Sequence, residues 1–142
     1  MPRIIGLDLG EKRIGVAVSD ETMTISSAAD TIAVSNARDS VKKIRDLAVF
    51  YQALEIVVGL PLNMNGTRGP QADKVEKFAQ KIRAACVSCQ VLTFDERLTT
   101  SQGSAILISA GMSRKKRRMN IDKLAAQIML QAYLDYKKNK YF

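Results

Sequence analysis

The sequence predicts an α/β fold, a mixed five-stranded sheet with helices on both faces, on three features of its 142 residues. Two β-branched runs near the start, Arg3-Ile4-Ile5-Gly6-Leu7-Asp8-Leu9-Gly10 and Ile14-Gly15-Val16-Ala17-Val18, are joined only by Glu11-Lys12-Arg13, which reads as an antiparallel hairpin. Two later runs, Glu55-Ile56-Val57-Val58-Gly59-Leu60 and Gln90-Val91-Leu92-Thr93-Phe94, are short and continuously apolar, as buried parallel strands are. Segments of helical spacing separate them, so a meander of three antiparallel strands passes into βα units. No repeat, low-complexity tract or linker interrupts the pattern, and one domain over residues 1–142 is expected.

Each element has its own signal. A third strand is expected near residues 23–34, its limits blurred by Ser and Ala. Asn36 looks like a helix cap, and Val41, Ile44, Leu47, Ala48, Tyr51 and Leu54 follow at near-helical spacing, giving a helix over about 37–53. Residues 61–70 form a loop with an Asn65-Gly66 turn, before a helix over 71–85 with Val75, Phe78, Ala79 and Ile82 on one face. After the last strand, a helix over 100–110 is expected to stop at Gly111. A basic loop and a final amphipathic helix over 121–137 complete the chain, with Leu124, Ala125, Ile128, Ala132 and Tyr136 inward.

Charge is distributed unevenly. The net charge is +8, of which residues 112–142 carry +7, with its peak at Arg114-Lys115-Lys116-Arg117-Arg118. Such a block suits a phosphodiester backbone, and a nucleic-acid partner is expected. No apolar stretch is long enough to cross a bilayer, so no membrane partner and a cytoplasmic location are expected. The sequence has no histidine, which excludes Ser-His-Asp, Cys-His and His-metal chemistry. Cys86 and Cys89 lack the further ligands a structural zinc needs, and read as reduced, ordinary cysteines.

Carboxylates are left to do the chemistry. Asp8 interrupts an apolar strand, where an acid is costly unless paired, hydrogen-bonded or neutralised by a metal. Asp95 and Glu96 end the last strand, and Asp122 opens the predicted final helix. Sites in α/β sheets gather at the carboxyl ends of strands, so these acids can meet at one edge. Carboxylates converging there would repel unless a hard divalent ion bound them, and Mg2+ or Mn2+ is the expected cofactor.

Four ordered blocks carry a resemblance over nearly the whole chain: residues 5–20, residues 57–67 from Val57-Val58-Gly59-Leu60-Pro61, Asp95-Glu96-Arg97-Leu98-Thr99-Thr100 and Ile121-Asp122-Lys123-Leu124-Ala125-Ala126. Together they resemble the YqgF/RuvX family of ribonuclease H-like proteins. The resemblance implies a ribonuclease H-like nuclease domain that is metal-dependent and processes pre-16S rRNA, or alternatively resolves Holliday junctions. It makes Asp8, Glu96 and Asp122 the catalytic, metal-binding acids. Asp95 is held in reserve, since adjacent strand residues face opposite ways. Asn65 and Met119 stand where acids occur in relatives or in related resolvases.

On this reading Lys12, Arg13 and Arg97 contact phosphates near the acids, and Arg114, Lys115, Lys116, Arg117 and Arg118 hold the backbone farther out. The expected partners are pre-rRNA or branched DNA and ribosome precursors, with the protein a monomer or weak homodimer. A non-catalytic RNA- or ribosome-binding module is the remaining alternative.

Overall fold

The computed structural model describes residues 2–63, 65–96 and 114–140, with the side chains of 114–122 and 139–140 outside that description. Its strands are β1 (Arg3–Leu9), β2 (Arg13–Ser19), β3 (Ser26–Ala33), β4 (Ala53–Leu60) and β5 (Gln90–Asp95). Its helices are α1 (Ala37–Phe50), α2 (Pro70–Ala85) and α3 (Arg114–Lys140). The sheet order is β3-β2-β1-β4-β5. The first three strands pair antiparallel, while β4 runs parallel to both β1 and β5. The carboxyl ends of β1, β4 and β5 therefore share one edge.

Helices cover both faces, as the sequence predicts. Ile44 and Ala48 of α1 and Val75, Ala79 and Ile82 of α2 pack with Ile5, Leu7, Val16, Ile56 and Val58 on one face. Ala126, Met129, Leu130, Tyr133 and Leu134 of α3 pack with Ile4, Ala17 and Val57 on the other. Fully burying each large aliphatic chain stabilises by roughly 1.5–3 kcal/mol, so the two layers hold the sheet rigidly between them. At Gly6 the helix lies so close that a Cβ would come within 2.8 Å of Leu130 Cβ.

Local signals account for most element ends. Asn36 Oδ1 accepts from Asp39 N at 2.9 Å, capping α1. Gly66 takes φ 86° and its N–H reaches Asn63 O at 2.8 Å, closing the Asn-Gly turn. Cys86 and Cys89 are free thiols, and Cys89 Sγ donates to Ala53 O at 3.2 Å.

Four expectations are corrected. The first helix ends at Phe50, because Gln52 adopts φ 53° and Ala53 already belongs to β4. Leu54, which continues the apolar spacing, is a half-exposed strand residue. Residues 114–118 are not a loop but the first turns of α3. Arg and Lys are good helix formers, and neither Gly nor Pro occurs between 114 and 140 to stop propagation. Finally, the buried stripe of α3 is Ala126, Met129, Leu130, Tyr133 and Leu134, while Tyr136 is 56% exposed. Apolar side chains on several sides of this helix support two stripes, and the sheet takes the one offering Met129, Leu130 and Leu134. The helix expected over 100–110 and Gly111 lie outside the described residues.

Two glutamines of α3 seal the outer edge of the sheet. Gln131 Oε1 accepts from Ser26 N at 2.9 Å, and its Nε2 donates to Thr24 O at 2.9 Å. Gln127 Nε2 donates to Ser26 O at 3.3 Å. The start of β3, an edge strand, thus has its exposed backbone groups bonded to a helix.

Candidate active site

Strand parity decides which side chains can meet. Gly6 and Asp8 lie on the α3 face of β1, since a Cβ at Gly6 would touch Leu130. Gly6 pairs with Val57 and Val57 with Leu92, so Val57 and Gly59 of β4 and Leu92 and Phe94 of β5 share that face. Glu96, one residue past β5, continues the alternation onto it. Asp95 pairs with Leu60, a residue of the opposite core, and so faces away.

Asp8 and Glu96 are brought together. Both are half-buried. Glu96 N donates to Leu60 O at 3.0 Å, which keeps the chain against β4 after β5 has ended. Its side chain then lies over Gly59, where its carboxyl atoms fill the space a Cβ would need. Burial, a hydrogen bond with Asp8 and the negative charges of Asp8 and Asp95 push the Glu96 carboxyl up to about 9. Burial and the neighbouring acids therefore favour the protonated form of Glu96 at neutral pH.

Asp122 lies in α3 by its backbone, and its side chain is outside the described residues. The helix start at Arg114 places position 122 two turns inside α3 rather than at its opening, so a helix-dipole role at a terminus does not apply to it. Position 122 is about one helical turn before Ala126, which is buried against the sheet. The helix also runs towards the right edge. Tyr133 and Lys137 meet Glu55 near the start of β4, and Leu130 covers Gly6, so earlier helix residues lie towards the strands' carboxyl ends.

Lys12, in the β1–β2 connection, and Arg13, the first residue of β2, are exposed at the same edge as Asp8. That turn is fixed by Gly10 N to Arg13 O at 2.9 Å and Val34 N to Lys12 O at 2.9 Å. Arg97 lies outside the described residues, and so do the side chains of Arg114, Lys115, Lys116, Arg117 and Arg118.

Among the described residues no group of three His, Cys, Asp or Glu side chains could hold a metal, and the acidic pair stands as two. Its donors suit a hard divalent ion nonetheless. Two partly desolvated carboxyls in hydrogen-bond contact offer only oxygen, and a proton now offsets the repulsion that a cation would offset.

Gly59 is the site residue that sequence reasoning passed over. Its signal was a glycine inside a run of β-branched residues, which in a strand marks close approach of another group.

Comparisons with known proteins cover nearly the whole chain. The sequence model of the family described as RuvX, Holliday junction resolvase, matches residues 2–136. A protein of Caldanaerobacter subterraneus subsp. tengcongensis named "Putative pre-16S rRNA nuclease" is 49% identical over 138 residues, covering 96% of this chain and 99% of that one. One of the same name from Geobacillus kaustophilus is 48% identical with the same coverage. T. thermophilus RuvC in complex with a Holliday junction substrate aligns at a TM-score of 0.57 and 15% identity, over 97% of this chain and 96% of that one. The fowlpox virus Holliday junction resolvase aligns at 0.56 and 15% identity, over 94% and 99%. These two structural likenesses show the fold, a ribonuclease H-like one.

Proposed function

The chain belongs to the RuvX family, and on that premise we propose that it is a divalent-metal-dependent nuclease that trims pre-16S rRNA, with Asp8 and Glu96 as metal-binding acids and Asp122 as the third. The observation that carries this reading is the Asp8–Glu96 contact across Gly59. Two acids, one on β1 and one just past β5, are held face to face over the middle strand. The names of relatives 49% and 48% identical over nearly their full length support the RNA substrate.

The residues divide the work. Asp8, set in β1 between neighbours on both sides, is the fixed oxygen donor. Glu96, on the chain just past β5, would be the second oxygen donor, holding the ion as its carboxylate. A bound Mg2+ or Mn2+ supplies Lewis-acid charge stabilisation and a more acidic water. Lys12 and Arg13 face the polyanion at the same edge, and Arg97 with Arg114–Arg118 supplies further positive charge by sequence. One domain with one such site suffices for cutting a single strand, so a monomer can carry this activity.

The test is hydrolysis of precursor 16S rRNA with Mg2+ by wild type, Asp8→Asn and Glu96→Gln. Each variant is expected to lose on the order of a hundredfold or more, as several kcal/mol of lost charge stabilisation implies. Full activity in Asp8→Asn would overturn the assignment of Asp8, and no cleavage by the wild type with Mg2+ would leave a binding module.

The family description favours a second reading, cleavage of four-way DNA junctions by the same acids. Symmetric cleavage of a junction wants two active sites and hence a dimer. Competition between precursor RNA and junction DNA at fixed salt separates the two.

A further inference from the structure

We propose that Gly59 is a positioning residue of the nuclease site, the bare stretch of the middle strand over which Glu96 must pass to reach Asp8. The proposal rests on the reading of Asp8 and Glu96 as the metal-binding pair.

The geometry leaves few alternatives. Asp8 is on β1 and Glu96 follows β5, with β4 between them. Neighbouring strands lie about 4.8 Å apart, so the two acids hang from backbones roughly 10 Å apart. Two side chains close that gap only by lying across β4. The register of β1 with β4, last paired at Leu7 and Val58, puts Gly59 level with Asp8, and Gly59 pairs with Phe94 on the other side. Any Cβ on β4 at this level would occupy the space of Glu96 Oε1, Cδ and Cγ.

Glycine inside a strand weakens it by roughly 0.5–1 kcal/mol relative to Ala. Its neighbours Ile56, Val57, Val58 and Leu60 are all large and buried, so packing does not call for a small residue here. Gly59 is also not in the left-handed backbone region, where Gly66 alone among the described glycines lies. Clearance for Glu96 is the requirement that remains.

The displaced group in a Gly59→Ala variant is the far end of a flexible side chain, so the fold has an easy way to yield. Folding stability should hold or rise slightly, while the acid is pushed off its partner. We expect Mn2+ affinity, measured by calorimetry on the intact chain, to fall by about 10- to 100-fold, as loss of a group that orients a metal ligand typically causes. Cleavage of precursor rRNA should fall in kcat more than in KM. Shortening the acid by one methylene should then matter in opposite senses. Glu96→Asp lowers Mn2+ affinity in the wild type, where reach is needed, and raises it in Gly59→Ala, where room is needed.

Wild-type Mn2+ affinity and cleavage in Gly59→Ala, with Glu96→Gln inactive, would overturn the positioning role and leave the acidic pair standing. So would a Glu96→Asp change that weakens binding equally in both backgrounds. If Glu96→Gln itself binds Mn2+ and cleaves normally, the site reading falls and the role of Gly59 with it.

Discussion

Two glutamates on one face of the sheet, beneath one helix, are handled in opposite ways. Glu55, near the amino end of β4, is 6% exposed and surrounded by its own chain's donors. Tyr133 Oη donates to its Oε1 at 2.5 Å, and Lys137 Nζ meets its Oε2. Glu96, at the carboxyl end, has the acids Asp8 and Asp95 beside it. The sequence of α3 explains Glu55: Tyr133 and Lys137 are four residues apart, hence on one helical face. At the amino edge a charge is neutralised within the chain, which is structure. At the carboxyl edge acidic groups are crowded together, the arrangement on which the proposed cation site rests.

The largest break in this comparison should come from neutralising each glutamate in turn. Glu96→Gln is expected to remove activity by on the order of a hundredfold or more while raising the stability of the metal-free protein. Paired rate and urea-unfolding measurements check both halves. The same exchange at Glu55 should spare cleavage below the melting transition and lower stability.

Lys137→Met comes next. It leaves Glu55 buried with a single hydrogen bond, and should cost roughly 1–3 kcal/mol. Because the lysine side chain is 41% exposed, the loss falls short of that for a fully buried pair. Chemical denaturation measures it, and unchanged stability would mean that the ion pair contributes nothing.

The dependence on pH sharpens the contrast further. Between the ordinary glutamate value of 4.5 and about 9, the folded protein holds a proton on Glu96 that the unfolded chain has released. This contribution to stability is therefore fully present below 4.5, declines as pH rises and is gone above about 9. For one proton the slope cannot exceed about 1.4 kcal/mol per pH unit. Urea unfolding with EDTA should show stability falling over this range in wild type, and a flatter profile in Glu96→Gln. Saturating Mg2+ should remove the decline, since the cation takes the proton's place. The smallest effect belongs to Tyr133→Phe, about 0.5–1.5 kcal/mol, with Lys137 still on Glu55.

Much of this was legible in the sequence because periodicity and composition are local. Two β-branched runs across three polar residues could hardly be anything but a hairpin, and an acid inside one had to be explained. Parity at a strand end admitted only one of Asp95 and Glu96 to the site, and the resemblance chose Glu96. What escaped depended on distant partners. Gly59 carries no chemistry of its own, and its meaning arises from a residue 37 positions later. The end of α1 was hidden because Tyr51 and Leu54 keep the helical spacing past the turn at Gln52. The face of α3 was misread because several of its sides are apolar, and only the sheet selects among them.

The glutamine clasp on β3 has a consequence for biogenesis. Ser26 emerges from the ribosome about a hundred residues before Gln127 and Gln131, the groups that cover it. During that interval a nascent hairpin with an open flank is a template for sticking to other chains. A chain cut short before position 127 would keep that flank bare for good, and should precipitate or recruit holdases where the complete one does not.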